Sequence, residues 1–272
     1  MNIVYRKTCI LINFLLTLNC QIIFGQNRII GGDETTIETF PYMLRLQIGR
    51  TTGRVRGVCG AAIIGKEWGI TAAHCFDNPE TDFDKIRVIA GTTDIKNLSI
   101  TAREHKVIEV IRHELYSGVN VESSIGADIA VIKVSPPFIF NNAIQPVKLP
   151  ESGQPLKTNF ATVTGWGNIE RGGPSSAILR FVTLPKINTE TCRRKYLERD
   201  IKLKRGELCY GVNDGINVQD KCQGDSGGPL VNSDYQDIGI ISWGIACGTV
   251  GFPGIYTDIH LFRDWIKTKT RI

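Results

Sequence analysis

Three short segments of the chain each contain a residue type that nucleophilic catalysis requires. His74 lies in the segment TAAHC, Asp128 opens the segment DIAVI, and Ser226 lies in GDSGGP. A serine hydroxyl is a weak nucleophile at neutral pH, so it needs an imidazole to accept its proton and a buried carboxylate to orient that imidazole. We therefore predict that these three residues form a catalytic triad. Taken singly, a core histidine and a turn aspartate are the simpler interpretations of His74 and Asp128.

The glycines that flank Ser226 predict a turn that binds a developing negative charge. Gly224 and Gly227 can adopt backbone conformations that other residues avoid. Such a turn lets the backbone N–H groups of Gly224 and Ser226 point at one site, as an oxyanion hole requires.

Short apolar runs, separated by Gly, Pro, Asn and Asp, predict an all-β sandwich or barrel that positions these segments. The predicted strands are Tyr42 to Ile48, Gly69 to Ala72, Ile86 to Ala90, Lys106 to Arg112, Ile129 to Val134, Ala161 to Thr164, Leu179 to Leu184 and Ile238 to Ser242. Apolar residues at three- and four-residue intervals predict one C-terminal helix from Leu261 to Ile266, and a short helix is possible at Thr189 to Tyr196. The proline-containing stretch Asn141 to Pro155 is the predicted join between two halves.

The N-terminus predicts a cleaved secretory signal. Arg6 and Lys7 precede a run that is apolar from Cys9 to Leu18 and again from Ile22 to Phe24, and that ends at Gly25. Polar residues interrupt this run, so it falls short of the roughly 20 apolar residues that a membrane span needs. We expect residues 1–25 to be a signal peptide, with Cys20 as the alternative cleavage position. The mature chain is then extracellular and has no membrane anchor.

The charge and cysteine content fit an exported chain. Three basic residues lie before Ile29, so 29 of the 32 basic residues remain beside 27 acidic ones, a net charge of +2 in place of +5. That balance predicts neither a nucleic-acid nor a membrane partner. Six cysteines remain after the signal and predict three disulfides, although their pairing stays open. They are Cys59, Cys75, Cys192, Cys209, Cys222 and Cys247. The sequence contains no Cys-x-x-Cys pair or close Cys/His cluster beyond His74 and Cys75, so zinc is disfavoured.

Together with further motifs, the three catalytic segments resemble the chymotrypsin/trypsin family of serine proteases. The resemblance covers the chain from Ile29 to the C-terminal helix, and its specificity comes from the order and spacing of many motifs. These motifs include IIGG after Arg28, GWG at 165–167, SWG at 242–244, PGIY at 253–256 and DWI at 264–266.

The resemblance implies two six-stranded antiparallel β-barrels with the active site between them, about 29–145 and 146–272. His74 and Asp128 then come from the first barrel and Ser226 from the second. Ser242 is expected to hydrogen-bond to Asp128, and the backbone of 242–244, including Trp243 and Gly244, to pair with an extended substrate. The implied disulfides are Cys59–Cys75, Cys192–Cys209 and Cys222–Cys247.

The resemblance also implies activation by proteolysis. Cleavage after Arg28 removes a propeptide, residues 26–28, and frees the α-amino group of Ile29, which is expected to pair with Asp225. A buried charge is costly without a partner, so the oxyanion turn orders only when both charges are present. The interpretation of Arg28 as an ordinary surface arginine stays open.

Substrate specificity is expected to depend on Asp220. Trypsin-like members carry a carboxylate at this position at the base of a pocket, and Gly244 and Gly254 match its small wall residues. This pattern implies cleavage after Arg or Lys through a charge-assisted contact. Lys221 departs from the family pattern. Its ammonium can either reach and neutralise Asp220, which gives an altered specificity, or extend along the wall to solvent and leave the carboxylate free.

The remaining expectations concern modification and partners. Asn97 heads a glycosylation sequon, NLS. No cofactor or metal is expected, and the expected partners are protein or peptide substrates, an activating protease and possible protein inhibitors of a monomeric enzyme. The alternative from another class is a secreted binding protein on a protease scaffold that acts through its basic surface.

Overall fold

The structure, a computed structural model, describes residues 32–51, 57–119, 123–153, 158–213, 218–249 and 251–272. The expected signal peptide, the propeptide, Arg28 and Ile29 lie outside these residues.

Most of the regular structure in the described residues is β-strand, as the sequence predicts. The strands are β1 Asp33–Glu34, β2 Met43–Arg50, β3 Gly57–Ile63, β4 Trp68–Thr71, β5 Thr81–Ala90, β6 Arg103–Arg112, β7 Ala130–Ser135, β8 Phe160–Gly165, β9 Arg180–Pro185, β10 Glu207–Tyr210, β11 Val212–Asn213, β12 Val218–Gln219, β13 Pro229–Val231, β14 Asp237–Trp243 and β15 Gly254–Asp258. A 3₁₀-helix spans Ala73–Phe76, and the α-helices are α1 Thr189–Leu197 and α2 Ile259–Thr270.

The first half of the chain forms a closed antiparallel barrel with the strand order β2-β3-β4-β7-β6-β5. Alternate apolar residues of each strand point inward, as period-two patterning requires. Leu44 and Leu46 of β2, Ile86 and Val88 of β5 and Ile132 of β7 lie in the same buried cluster. The pairing of β2 with both β3 and β5 closes this barrel.

The second half forms a sheet with the order β1-β9-β8-β13-β14-β15-β10. The all-β fold is confirmed, but within the described residues this sheet is a half-barrel and not a second closed six-stranded barrel. β1 belongs to it, although β1 precedes the first barrel in the chain: Asp33 pairs with Phe181 and Glu34 with Arg180. β11 and β12 pair separately as a two-stranded ribbon.

Helix α2 packs across both halves. Its Phe262 and Ile266 share a buried cluster with Ile129 and Val131 from the first half and Ile240 from the second. The Asp258 side chain accepts the N–H of His260 and caps the helix at its N-terminus. The helix is longer at both ends than the predicted segment from Leu261 to Ile266. The prediction missed the first and last turns because these turns are only partly apolar.

The two halves also meet beside the predicted nucleophile. The N–H of Gly60 in β3 donates to the carbonyl of Ser226 at 2.8 Å. A Cβ on Gly60 would lie 2.8 Å from the Cα of Gly228, so only glycine permits this approach. This contact holds the Ser226 turn against the first barrel.

Three disulfides join the described cysteines, and they are the pairs that the resemblance implies. Cys59–Cys75 links β3 to the 3₁₀-helix, Cys192–Cys209 links α1 to β10, and Cys222–Cys247 links two loops of the second half. Among the described residues, no helix has the length and apolar character needed to cross a membrane.

Candidate active site

His74 and Asp128 contact each other directly. His74 lies in the 3₁₀-helix that follows β4, and Asp128 lies just before β7, the strand paired with β4. The Nδ1 of His74 is 2.7 Å from Oδ2 of Asp128, and the backbone N–H of His74 donates to Oδ1 at 2.8 Å. Two contacts to one carboxylate fix the orientation of the imidazole and leave Nε2 for proton transfer.

Ser242 contacts Asp128 from the second half. Its hydroxyl donates to Oδ2 of Asp128 at 2.5 Å, and Thr257 donates to the Asp128 carbonyl at 2.9 Å. Asp128 is only 4% exposed, so these donors replace the water that burial removes. The carboxylate is held by residues of both halves.

The electrostatics of this pair favour a charged carboxylate beside a basic imidazole. Burial lowers the pKa of His74, but the charge and hydrogen bond of Asp128 outweigh it, so the pKa lies above its ordinary value. Burial raises the pKa of Asp128, whereas the His74 charge, the hydrogen bonds of His74 and that of Ser242 lower it, and the net shift is downward. His74 is therefore a stronger base than a free histidine.

Ser226 lies on a tight turn beside these residues. The Ser226 carbonyl accepts from Gly60 N, and Cys75, the neighbour of His74, places its sulfur 3.8 Å from the same carbonyl. The hydroxyl of Ser226 does not hydrogen-bond to His74 in this structure. Such catalytic hydrogen bonds often close only when substrate is bound.

The turn around Ser226 has the conformation that its glycines predict. Gly224 has φ of 94° and Gly227 has φ of 81°, both in the left-handed region. The N–H groups of Gly227 and Gly228 donate to the carbonyls of Ile241 and Asp225. Among the described residues, no acceptor takes the N–H of Gly224 or Ser226, so both remain available to a substrate oxygen.

Asp225 is fully buried directly beside the nucleophile. Gly167 N donates to its Oδ1 at 2.8 Å and Cys222 N to its Oδ2 at 2.9 Å. Burial raises the pKa of Asp225 to about 6, and these two hydrogen bonds offset only part of that effect. A Cβ on Gly165 would lie 2.1 Å from Oδ1 and a Cβ on Gly167 2.4 Å from the carboxyl carbon. The GWG motif therefore leaves space for this carboxylate, a role that the motif alone did not reveal.

Asp220 and Lys221 are both buried near the two glycines that the sequence assigns to a pocket. Oδ1 of Asp220 accepts from Lys221 N at 2.8 Å and Oδ2 accepts from Gly248 N at 3.2 Å. Burial raises the pKa of Asp220, and the Lys221 charge lowers it by a smaller amount. Lys221 is 7% exposed, so its side chain does not extend to solvent as one alternative allowed. A neighbouring cleft is lined by Lys221, Cys222, Gln223, Ser226, Ser242, Trp243, Gly244, Ala246 and Cys247.

Glu207 is a residue of this region that sequence reasoning missed. Its Oε1 accepts the indole N–H of Trp243 at 3.0 Å, and its Oε2 accepts Lys204 N at 2.7 Å. Burial raises the pKa of Glu207. The carboxylate fixes the ring that follows Ser242 in β14, a contact for which the sequence has no motif.

The predicted sequon lies apart from this chemistry, whereas a cluster of potential metal-ligating atoms includes His74 itself. Asn97 is exposed, and its Nδ2 donates to Asp94 at 2.9 Å. Cys59, His74 and Cys75 bring three potential ligand atoms together. Because Cys59 and Cys75 form a disulfide, this group has no thiolate to offer a metal.

The fold combines a closed barrel with a half-barrel that carries a Gly-Asp-Ser-Gly turn, and a C-terminal helix packs across both. This architecture is that of the chymotrypsin class of hydrolases. The chain belongs to the trypsin family, whose family model matches residues 29–266. It is therefore a trypsin-like serine endopeptidase that acts on protein substrates.

Individual relatives cover most of the chain. A protein named trypsin from Phaedon cochleariae is 34% identical over 245 residues, 90% of this chain and 89% of the relative. Trypsin-1 from Astacus astacus is 34% identical over 249 residues, 89% of this chain and 99% of the relative. Transmembrane protease serine 11G from Rattus norvegicus is 36% identical over 252 residues, 90% of this chain but 56% of the relative.

Proposed function

We propose that the chain is a secreted endopeptidase, made as a proenzyme, that cleaves after Arg or Lys through an acyl-enzyme at Ser226. The observation that carries the proposal is the chain of contacts from Ser242 to Asp128 to His74, which ends beside the turn of Ser226. Residues of both halves meet there, and a nucleophile, a base and an orienting carboxylate occur together.

The proposed reaction has two steps. The Ser226 hydroxyl attacks the scissile carbonyl while His74 Nε2 takes its proton, and the N–H groups of Gly224 and Ser226 stabilise the oxyanion. His74 then donates the proton to the leaving amine, which departs and leaves an acyl-enzyme. Water, deprotonated by His74, attacks the acyl group, and the proton returns to Ser226 as the acid product leaves.

The proposed activation uses the buried carboxylate of Asp225. Cleavage after Arg28 gives Ile29 a charged amine, and pairing with that amine removes the cost of an ionised carboxylate in a fully buried site. Asp225 adjoins Ser226 in the chain, so its position controls the oxyanion turn. The predicted signal peptide at 1–25 supports secretion, because such a segment directs a chain to export.

Specificity for Arg or Lys is proposed from the buried carboxylate of Asp220. Its Oδ1 is 2.9 Å from the point where a Cβ on Gly254 would lie, so it faces the space that this glycine leaves open. An arginine or lysine side chain that enters this space meets a carboxylate.

The test is to cleave the proenzyme after Arg28 and to measure hydrolysis of peptides that differ only in the residue before the scissile bond. Ser226→Ala should abolish turnover without loss of folding, and Asp220→Ser should lower kcat/KM for Arg and Lys peptides selectively. Activity that survives Ser226→Ala would show that the proposed nucleophile is wrong. Equal effects of Asp220→Ser on Arg, Lys and neutral peptides would refute the specificity.

A further inference from the structure

The side chain of Lys221 lies between the two glycines that form the walls of the pocket. A Cβ on Gly244 would lie 2.8 Å from Nζ of Lys221, and a Cβ on Gly254 would lie 3.2 Å from its Cε. Glycine at these two positions leaves space for a long substrate side chain. The end of Lys221 already fills part of that space.

The carboxylate of Asp220 faces the same space. Its Oδ1 and the Cε of Lys221 both approach the point where the Cβ of Gly254 would lie, at 2.9 and 3.2 Å. The ring of Tyr256 approaches this point at 3.2 Å, and its buried hydroxyl has no hydrogen-bond partner among the described residues. One buried carboxylate and one buried ammonium therefore occupy a single pocket, although the ion pairs of the described residues do not include one between them.

We infer that Lys221 is a specificity-determining residue that takes the place of the substrate's basic side chain in this pocket. The inference rests on the proposed function, because it takes Asp220 as the group that binds Arg or Lys. An entering guanidinium or ammonium meets the like charge of Lys221 near Gly244. A basic residue can therefore bind only after the Lys221 side chain has rotated away, whereas a short neutral residue meets no such repulsion.

The size of the effect depends on the fraction of molecules in which the Lys221 side chain has left the pocket. The apparent affinity for a ligand falls in proportion to the fraction of molecules in the competent state. If Lys221 leaves the pocket in about a tenth of the molecules, its removal improves apparent binding of a basic residue about tenfold. The change lies in KM, because the catalytic groups are the same once the substrate is in place.

The experiment compares the activated wild-type enzyme with Lys221→Ser and Lys221→Ala. Lys96→Ser is the matched control, because Lys96 is exposed on a loop of the first half. Peptides that differ only in having Arg, Lys, Gln or Ala before the scissile bond give kcat and KM. Inhibition by benzamidine, a small aromatic cation, reports binding to the pocket without turnover.

Both Lys221 variants should lower KM for Arg and Lys peptides about tenfold, tighten benzamidine inhibition by a similar factor and leave kcat and the Ala peptide within about twofold. The Gln peptide should gain less than the Arg peptide, because its side chain meets the bulk of Lys221 but not the repulsion between like charges. Lys96→Ser should match wild type. Unchanged KM for Arg peptides and unchanged benzamidine inhibition in both Lys221 variants would overturn the inference.

Titration of the active serine with a sulfonyl fluoride separates this inference from the proposed function. An enzyme that neither reacts with the reagent nor cleaves any peptide lacks the proposed activity, so the proposed function fails. An enzyme that titrates fully and cleaves after Arg, but whose selectivity for Arg over Ala is the same with and without Lys221, refutes only the role of Lys221. The titration also gives the concentration of folded enzyme for each variant.

Discussion

Asp225 makes the stability of the uncleaved proenzyme depend on pH in an unusual direction. The carboxyl is fully buried, it accepts two backbone N–H groups, and burial raises its pKa to about 6 from 3.8. Among the described residues, no cation forms an ion pair with it. A carboxyl with a raised pKa favours the folded state while it is protonated and opposes folding once it has ionised.

The magnitude follows from the two pKa values. Between pH 3.8 and about 6 the folded chain holds a proton that the unfolded chain has lost, so the free energy of unfolding falls as pH rises. One pKa unit corresponds to about 1.4 kcal/mol, which gives a loss of about 3 kcal/mol across this window. The loss is complete above the folded-state pKa.

Urea unfolding of the proenzyme measures this effect. The Ser226→Ala proenzyme, which cannot digest itself, is compared from pH 4 to 7.5 with the same chain that also carries Asp225→Asn. Asparagine does not titrate, so the double variant should gain about 3 kcal/mol relative to its parent between pH 4 and 7. Its amide loses one backbone hydrogen bond, but that cost does not vary with pH and cancels in the comparison.

Asp234→Asn, at an exposed position, is the control for removing one carboxyl. Parallel pH profiles for the Asp225 variant and its parent would refute the reasoning. Such profiles would mean that the carboxyl is solvated or already paired in the proenzyme.

Four further substitutions have expected outcomes. Asp128→Asn should lower the pKa seen in the pH profile of kcat/KM, because the imidazole loses its anionic partner, and should reduce kcat about 10⁴-fold, as in triads generally. Gly227→Ala should lower the free energy of unfolding by about 3 kcal/mol or more in urea, because φ is 81° and the Cβ would lie 2.2 Å from a threonine hydroxyl. Gly153→Ala, with φ of 76° and nothing within 4 Å, should cost only about 1–2 kcal/mol. Replacing Cys192 and Cys209 together by serine, which opens a link with a sequence separation of 17, should cost about 3 kcal/mol by the same assay.

The sequence predicts the parts of the fold that depend on local patterns. All eight predicted strands overlap observed ones, and the short helix predicted at Thr189 to Tyr196 is α1. β3 was not predicted because Gly57–Ile63 contains two glycines and two alanines, which are weak strand formers. Its Gly60 is required by the approach of Gly228 from the other half, and a single sequence contains no signal for such a contact.

In the site, too, local motifs were predictable from the sequence and contacts between distant residues were not. The order of the motifs predicts a triad of His74, Asp128 and Ser226, because each motif is a local signature. The direction of Lys221 could not be predicted, because both alternatives satisfy the sequence equally. Only the packing of Gly244 and Gly254 around its side chain distinguishes them.

The position of Lys221 also bears on the cost of burying acidic groups beside the nucleophile. Its charge lowers the pKa of both Asp220 and Asp225, whereas burial raises both. One ammonium therefore offsets part of the desolvation cost of two carboxylates. Under the proposed activation, the Ile29 amine becomes the partner of Asp225, and Lys221 is then needed only by Asp220. The effect of Lys221 on Asp225 thus belongs to the uncleaved chain, the state in which no substrate needs the space that Lys221 fills.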